Sequence, residues 1–290
     1  MELIVKEVKL LEGIPGASGI VKADDLIYII GDNSPFLFTL NDQLEVISRL
    51  PIYQMHDLEG DTIRKRLKPD FEAMEMVGKD ELLIFGSGSK SPERDILIHI
   101  QLFGNQDVKQ CNLKLFYDQI RAMKVLQNYP LNIEAIAFHQ EDILLFNRGK
   151  NLIMIFPYQQ FLAYLRGESH FSEPQVIEVD LPEMDNLRAG FSGATISQAS
   201  SVLIFTASVE DTDNAYDDGD IRGSFVGMVP LQELDNPAAY QYHQILHEVI
   251  PLKVESVAIE EEISPRELDL LLTTDSDGNT SFLIKCTLKW

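Results

Sequence analysis

Cysteine, basic residues and long apolar runs are scarce in this chain of 290 residues. The two cysteines, Cys111 and Cys286, stand far apart and lack the C-x-x-C spacing of redox and zinc sites. Both lie in apolar stretches, which favours reduced, packed thiols over a disulfide framework. No apolar run comes near the roughly 20 residues that a membrane-spanning helix requires. The sequence therefore indicates a globular protein without a disulfide framework or a membrane span.

Basic residues are far fewer than acidic ones. Lysine and arginine together number 24 against 46 acidic residues, so the formal net charge is −22. This balance argues against nucleic acid or an anionic membrane as a partner. It is compatible with a small-molecule ligand, especially a cationic one, and with divalent cations. It is also typical of a protein whose acidity only serves solubility, and it does not exclude a protein partner.

The N-terminus lacks the features of an export signal. Its first residues, MELIVKEVKLLEG, carry charges at Glu2, Lys6, Glu7 and Lys9, where a signal peptide needs an unbroken apolar segment. We therefore expect this segment to be part of the fold and the protein to be cytoplasmic.

A repeated pattern runs along the chain. An anchor residue is followed by Gly, Ala or Ser, then by alternating apolar residues, a turn, a second apolar strand and a polar loop. The five anchors are Ser18, Glu72, Glu134, Ser192 and Glu255. A small residue after each anchor lets neighbouring strands approach closely, as they must near a common axis.

The repeats fill the chain evenly. Consecutive anchors are 54, 62, 58 and 63 residues apart, and 53 residues separate the last anchor from the first across the two termini. A solenoid would instead show atypical capping repeats at its ends. The spacing predicts a single all-β domain over residues 1–290, a β-propeller with five blades. A six-bladed ring is the alternative, because the insertions at residues 104–128 and 156–180 could contain a degenerate blade.

Each repeat has room for four short strands, and the two chain ends are expected to share one blade. The last repeat stops after its third strand, TSFLIKCTLKW. The N-terminal segment ELIVKEVKLL is the natural donor of the missing outer strand, and its pairing would close the ring and cover an exposed edge. Within the insertions, Leu115 to Gln127 and Tyr158 to Gly167 have the apolar spacing of short helices.

In a propeller the innermost strands begin at one mouth of the central channel, so the anchors should converge there. Glu72, Glu134 and Glu255 are the predicted catalytic and metal-binding residues, and Ser18 and Ser192, which complete the circle, are predicted to bind the ligand. The polar loops after the second strands should lie near the same mouth. From these loops and their surroundings we predict ligand-binding roles for Asp32, Ser87, Arg94, Asn147, Arg148 and Asp275, with Asn33, Ser89, Ser208 and Asp277 in the same loops.

Carboxylates that meet at an axis repel one another, and this raises their pKa values unless a cation joins them. A hard divalent ion, with Ca²⁺ as the candidate, would accept their oxygen atoms as ligands. Arg148, or else Arg94 or Arg64, could pair with them instead. A third interpretation is structural, in which the glutamates accept hydrogen bonds from backbone N–H groups and hold neighbouring blades together. The sequence leaves all three open.

Other motifs are weaker. GFSGA and GASGI lack the second glycine of a nucleophile elbow, and GSGS lacks the lysine of a phosphate-binding loop. The acidic segment Glu210 to Asp220 lacks the glycine and glutamate of an EF-hand loop. His243 and His247 form a local pair without a third ligand, so a zinc site is not predicted.

Short motifs at the blade openings resemble those of a known propeller family. They are SGI (Ser18–Ile20), DFEA (Asp70–Ala73), NIEA (Asn132–Ala135), VES (Val254–Ser256), GS followed by Arg94, and NRG (Asn147–Gly149). They resemble the blades of bacterial proteins grouped as having esterase-like activity of phytase. The resemblance implies a propeller with ester or phosphoester hydrolase activity, assisted by calcium.

Two functional hypotheses follow. In the first, Glu72, Glu134 and Glu255 hold Ca²⁺, which polarises an ester or activates water, and Arg148 or Arg94 binds an anionic group. In the second, the same mouth or a blade edge holds a ligand or a protein without catalysis. The sequence alone does not decide between them.

Overall fold

The two ends of the chain meet in one sheet. The computed structural model describes residues 1–54, 58–104, 106–211, 219–246, 252–275 and 280–290. Strand β1 (Glu2–Leu11) pairs antiparallel with β24 (Ser281–Lys289) over its whole length, with one bulge between Val5 and Glu7. The predicted closure by the N-terminal strand is therefore confirmed.

Five four-stranded antiparallel sheets form the blades, named here from the axis outwards. Blade I consists of β2 (Ala17–Ala23), β3 (Leu26–Gly31), β4 (Phe36–Leu40) and β5 (Val46–Pro51). Blade II consists of β8 (Phe71–Val77), β9 (Glu81–Gly86), β10 (Ile96–Gln101) and β11 (Val108–Asn112). Blade III consists of β12 (Ile133–His139), β13 (Asp142–Asn147), β14 (Leu152–Pro157) and β15 (Gln175–Glu178). Blade IV consists of β18 (Gly190–Ser197), β19 (Val202–Asp211), β20 (Asp220–Pro230) and β21 (Gln241–Ile245). Blade V consists of β22 (Lys253–Ser264), β23 (Glu267–Asp275), β24 and β1.

Short elements connect the blades. Two hairpins are formed by β6 (Leu58–Glu59) with β7 (Thr62–Ile63) and by β16 (Glu183–Met184) with β17 (Leu187–Arg188). The helices are α1 (Lys114–Arg121) and α2 (Tyr158–Leu165), with 3₁₀ turns at Lys124–Leu126, Leu231–Glu233 and Pro237–Ala239. Both predicted insertions thus hold a helix, not a sixth blade. Within the described ranges, no helix combines the length and the apolar character needed to cross a membrane.

The five innermost strands form a ring. Each contacts the innermost strand of the next blade, and β22 of blade V contacts β2 of blade I. Apolar clusters lie between neighbouring blades all the way round. At the closing interface, Ala258, Leu271 and Leu283 of blade V pack with Ile20 and Ile29 of blade I. Full burial of one such leucine or isoleucine contributes roughly 1.5–3 kcal/mol, so these interfaces stabilise the closed ring.

Helix α1 fills the space between blades II and III. It buries Phe116, Tyr117 and Ile120 on one face, as its apolar spacing predicts. The Tyr117 hydroxyl donates a hydrogen bond to the Gly86 carbonyl at 2.8 Å. Gly88 has a φ of +71°, and a Cβ there would lie 2.8 Å from the Tyr117 ring. Glycine is therefore needed at position 88 both for the turn and for the approach of the helix.

Candidate functional site

A polar cavity of about 680 Å³ opens at the mouth where the innermost strands begin. We call it the anchor cavity, because the anchors Ser18, Glu72, Glu134 and Glu255 line it. The predicted residues Asp32, Arg94, Arg148 and Asp275 also line it. The convergence of strand beginnings from different blades brings together carboxylates that are tens of residues apart in sequence.

One group of charges lies between blades I and II and is centred on Asp70, a buried residue with a φ of +57°. Lys68 Nζ lies 2.8 Å from Asp70 Oδ1 and also contacts Asp32 Oδ2. Arg94 Nη1 and Ser87 Oγ both lie 2.5 Å from Asp70 Oδ2. Burial alone would raise the pKa of Asp70, but the Lys68 ammonium and the Arg94 guanidinium hold it below its ordinary value. Asp70 therefore stays ionised and fixes both basic side chains.

Glu72 is placed differently. Its side chain lines the anchor cavity and is partly accessible, yet no described residue forms a hydrogen bond or an ion pair with it. Burial raises its pKa well above the ordinary value, and the neighbouring carboxylates of Asp70, Glu134 and Asp32 raise it further. Lys68 opposes this shift only in part. Glu72 is consequently a carboxyl group that no described basic side chain contacts directly.

A second group of charges lies between blades III, IV and V. Arg148 reaches Glu134 at 3.7 Å and Glu210 at 3.3 Å. Lys253 Nζ lies 2.9 Å from Glu210 and 3.0 Å from Glu255. Burial would raise the pKa of Glu210, but Arg148 and Lys253 lower it below its ordinary value. Two cations thus bridge three carboxylates, and Glu210 is the shared partner.

The two anchors of this group, Glu134 and Glu255, have raised pKa values and ionise less readily than Glu210. Burial raises the pKa of Glu134 to about 7, although Arg148 opposes the shift. Burial also raises the pKa of Glu255, against the effect of Lys253. Asn132 Nδ2 donates a 2.6 Å hydrogen bond to Glu134 Oε1. Glu134 can therefore exchange a proton near neutral pH, which suits either proton transfer or the binding of a cation.

The remaining predicted residues have structural contacts. Ser18 Oγ donates to the Phe71 carbonyl of the next blade at 2.5 Å, and Ser192 Oγ pairs with Thr206 at 3.1 Å. Asn147 Oδ1 accepts from the backbone N–H of Asn132 at 2.7 Å, which ties the second strand of blade III to the beginning of its first. Of these residues and Ser87, only Ser18 lines the cavity.

Residues from the other predicted loops are placed as follows. Ser89 lies beside Arg94 at 2.6 Å, and Ser208 accepts a 3.0 Å hydrogen bond from Arg148. Arg64 pairs with Glu59 at the rim, at 3.4 Å. Asp277 and His247 lie outside the described residues.

Sequence reasoning missed the four charged residues that form ion pairs with predicted residues inside the cavity. They are Lys68, Asp70, Glu210 and Lys253. A signal was present for two of them, because the residue two positions before every anchor lines the cavity. These residues are Gly16, Asp70, Asn132, Gly190 and Lys253. Extending each repeat by two positions would therefore have found Asp70 and Lys253.

Three carboxylates of the cavity lie close enough to share a cation. Carboxylate oxygens of Asp32, Asp70 and Glu72 lie within 4.8 Å of one another. Lys68 already bridges Asp32 and Asp70, however, so its ammonium occupies the position of positive charge among them. The three predicted glutamates do not act as one group. Glu134 forms an ion pair with Arg148, and Glu255 forms one with Lys253. With Lys68 in place, a divalent ion would compete with its ammonium for these oxygen atoms.

Comparisons with known structures agree with the propeller architecture. The glutaminyl cyclase of Myxococcus xanthus is similar at 8% sequence identity, over 99% of this chain and 97% of that chain, with a TM-score of 0.51. The virginiamycin B lyase of Staphylococcus aureus is similar at 10% identity, over 99% and 100% of the two chains, with a TM-score of 0.46. At such low identity the likeness to the cyclase concerns the fold alone.

Sequence comparison assigns the chain to a family. No match emerges among curated proteins. A family of unknown function, DUF6929, matches residues 13–288. This match, and not the resemblance to proteins with esterase-like activity of phytase, is what the comparisons support. The chain therefore belongs to the DUF6929 family.

Proposed function

We propose that the anchor cavity binds a small organic cation, a molecule with an ammonium or guanidinium group, and that Glu72 is its principal counter-ion. The observation that carries this proposal is the contrast between Glu72 and the other deep carboxylates. Asp70, Glu134, Glu210 and Glu255 each have a lysine or arginine partner. Glu72 has neighbouring carboxylates instead. A ligand cation would supply the missing partner.

The charge balance of the cavity supports the same ligand class. Nine acidic and seven basic side chains line it. The deep basic residues Lys68, Arg94, Arg148 and Lys253 already contact carboxylates. An anionic ligand would have to displace those carboxylates, whereas a cation would reduce their mutual repulsion. The net charge of −22 further favours the approach of a cation.

The volume of the cavity limits the size of the ligand. A volume of about 680 Å³ lies in the range of roughly 300–1,000 Å³ that is usual for small-molecule sites. Because polar side chains line most of it, a compact, hydrogen-bonding cation fits better than an apolar one. A molecule with two cationic groups could contact Glu72 and, at the same time, the rim carboxylates.

Isothermal titration calorimetry tests the proposal. Agmatine and putrescine serve as cationic probes, and succinate serves as the anionic control. We expect the cations to bind and Glu72→Gln to weaken their binding at least tenfold, while succinate does not bind. The matched control is Glu178→Gln, because Glu178 lines the same cavity but is exposed at the rim and paired with Lys150. Equal affinity of the two variants, or tighter binding of succinate, would contradict the proposal.

The metal-assisted ester or phosphoester hydrolase is the second candidate. The proximity of the Asp32, Asp70 and Glu72 carboxylates favours it, and the bridging position of Lys68 stands against it. The two candidates differ in a simple measurement. A hydrolase of this kind should be stabilised thermally by Ca²⁺ and should cleave p-nitrophenyl acetate or phosphate, with loss of turnover in Glu134→Gln. A binding propeller should show neither response.

A further inference from the structure

A second cavity, of about 640 Å³, lies where the innermost strands end. We call it the far cavity, because it opens at the opposite mouth of the channel and shares no lining residue with the anchor cavity. The ring is tightly packed at the residues that follow two of the anchors, because a Cβ at Gly19 or Gly193 would lie within 2.7 Å of neighbouring atoms. The close packing of the ring at this level makes the far cavity an independent site.

Apolar side chains from four blades form a large part of the wall of the far cavity. Met74 and Met76 come from blade II, Phe138 from blade III, Ile196 from blade IV and Val257 from blade V. Methionine side chains adapt to ligands of irregular shape, and sulfur also packs well against aromatic rings. This lining differs from that of the anchor cavity and suits a ligand with an apolar body.

One carboxyl group stands among these apolar side chains. Glu75 Oε1 accepts a 2.9 Å hydrogen bond from the backbone N–H of Met76, and the carboxylate also accepts one from the backbone of Phe138. No basic side chain of the described residues pairs with it. Burial raises the pKa of Glu75 to about 8. The two backbone donors leave further acceptor positions on its oxygens unused.

The other charged groups of the far cavity have partners. Lys22 Nζ donates to the Asp24 carbonyl at 2.7 Å, and Glu262 accepts a 2.7 Å hydrogen bond from Ser197. Lys22 therefore does not neutralise Glu75, and the acidic Glu262 disfavours an anionic ligand. Glu75 is left as the carboxyl group of this cavity that no described side chain partners, and loss of its proton would give the negative charge that a ligand cation meets.

We propose that the far cavity binds a small amphiphilic amine, with its ammonium at Glu75 and its apolar body against Met74, Met76 and Phe138. An anion would meet two carboxyl groups, and a wholly apolar molecule would desolvate Glu75 without compensating it. An aromatic or branched alkyl amine satisfies the charge and the apolar wall together. The proposal concerns a site separate from the anchor cavity and does not depend on the function proposed there.

Methyl NMR locates the binding site directly. In protein labelled at the methionine methyl groups, 2-phenylethylamine should shift the Met74 and Met76 resonances. Met154 and Met228 are buried in blades III and IV and should not respond, so they are internal controls. Shifts confined to other methionines, or no shift of Met74 and Met76 at millimolar amine, would overturn the proposal.

The role of Glu75 is tested by one variant and an isosteric ligand. Glu75→Gln keeps an oxygen for the Met76 and Phe138 N–H groups, so the ring should stay intact. It should weaken 2-phenylethylamine binding at least tenfold and leave the weaker binding of uncharged 2-phenylethanol unchanged. The control Glu141→Gln, at an exposed glutamate that lines neither cavity, should leave amine binding at the Met74 and Met76 methyl groups unchanged. If the alcohol binds wild-type protein as tightly as the amine, or Glu75→Gln has no effect, the proposal is wrong.

Discussion

Lys68 Nζ lies 2.8 Å from Asp70 Oδ1, in a cavity where three carboxylates converge. The same ammonium contacts Asp32. Burial would lower the pKa of Lys68, but these carboxylates raise it above its ordinary value, so the side chain stays charged. A lysine thus supplies the positive charge that a bound ion would supply in a metal site.

Replacing Lys68 by methionine should destabilise the protein and expose a latent cation site. Asp32 would lose its basic partner, and breaking one such buried pair costs about 3–5 kcal/mol. Added Ca²⁺ should recover part of this loss in the variant, because the carboxylates of Asp32, Asp70 and Glu72 remain close together. Urea unfolding at pH 7, with and without Ca²⁺, measures both effects.

The matched control for this prediction is Lys65→Met, because Lys65 lines the same cavity but is exposed. It should change the free energy of unfolding by less than about 1 kcal/mol. If Ca²⁺ stabilises wild-type protein as strongly as Lys68→Met, Lys68 does not occupy the cation position.

Glu134 should make the protein less stable as the pH rises from about 4.5 to 7. Its folded pKa is raised to about 7 from an ordinary value of 4.5, so folding favours its protonated form and this advantage is lost across that window. At 1.36 kcal/mol per pKa unit, the loss is at most about 3 kcal/mol. Glu134→Gln should match wild-type stability at pH 4.5 and exceed it at pH 7.5, as measured by urea unfolding at both values.

An exposed glutamate provides the comparison for Glu134. Glu141 lies two residues beyond the inner strand of blade III and is exposed, so Glu141→Gln should give the same small change at both pH values. A Glu134→Gln variant that is less stable than wild type at pH 7.5 would mean that the carboxylate is needed there as the partner of Arg148.

Much of the architecture could be predicted from the sequence because it depends on local patterns. The anchors recur at nearly even spacing, and the N-terminal strand completes a blade that lacks one. Glu72, Glu134 and Glu255 were found as cavity residues because each begins an innermost strand. The repeat spacing shows which residues occupy the same position in each blade. Because the blades form a closed ring around one axis, residues at that position lie close together in space.

The ion pairing of the cavity could not be predicted in this way. Glu210 lies near the end of a ten-residue strand of blade IV, yet it partners Arg148 of blade III and Lys253 of blade V. Lys68 comes from the segment between two blades and follows no repeat position. Which cation meets which carboxylate depends on side-chain reach across the channel, and repeat spacing carries no information on that.

Gly190 should be required for the position of Arg148. A Cβ at Gly190 would lie 2.5 Å from Arg148 Cγ, so Gly190→Ala should push the guanidinium away from Glu134 and Glu210. Overpacking of this kind costs roughly 1–3 kcal/mol. In an Arg148→Ala background the same substitution should cost little. Urea unfolding of the four proteins gives the coupling energy, and additive effects would show that Gly190 acts independently of Arg148.

The ring should depend on the strand that the N-terminus contributes. Deleting residues 1–11 would remove β1, uncover the edge of β24 and expose the apolar contacts of Leu3 with the blade IV–V cluster. We expect a loss of at least several kcal/mol, or aggregation through the bare edge, since an unpaired strand readily pairs with another chain. A synthetic peptide of residues 1–12 should restore the thermal midpoint of the truncated protein. The same peptide with Val8→Pro should not restore it. Val8 is paired with Ile284, and proline cannot donate a backbone hydrogen bond to the neighbouring strand. A truncated chain that keeps the wild-type midpoint without the peptide would show that closure by the two ends contributes little to stability.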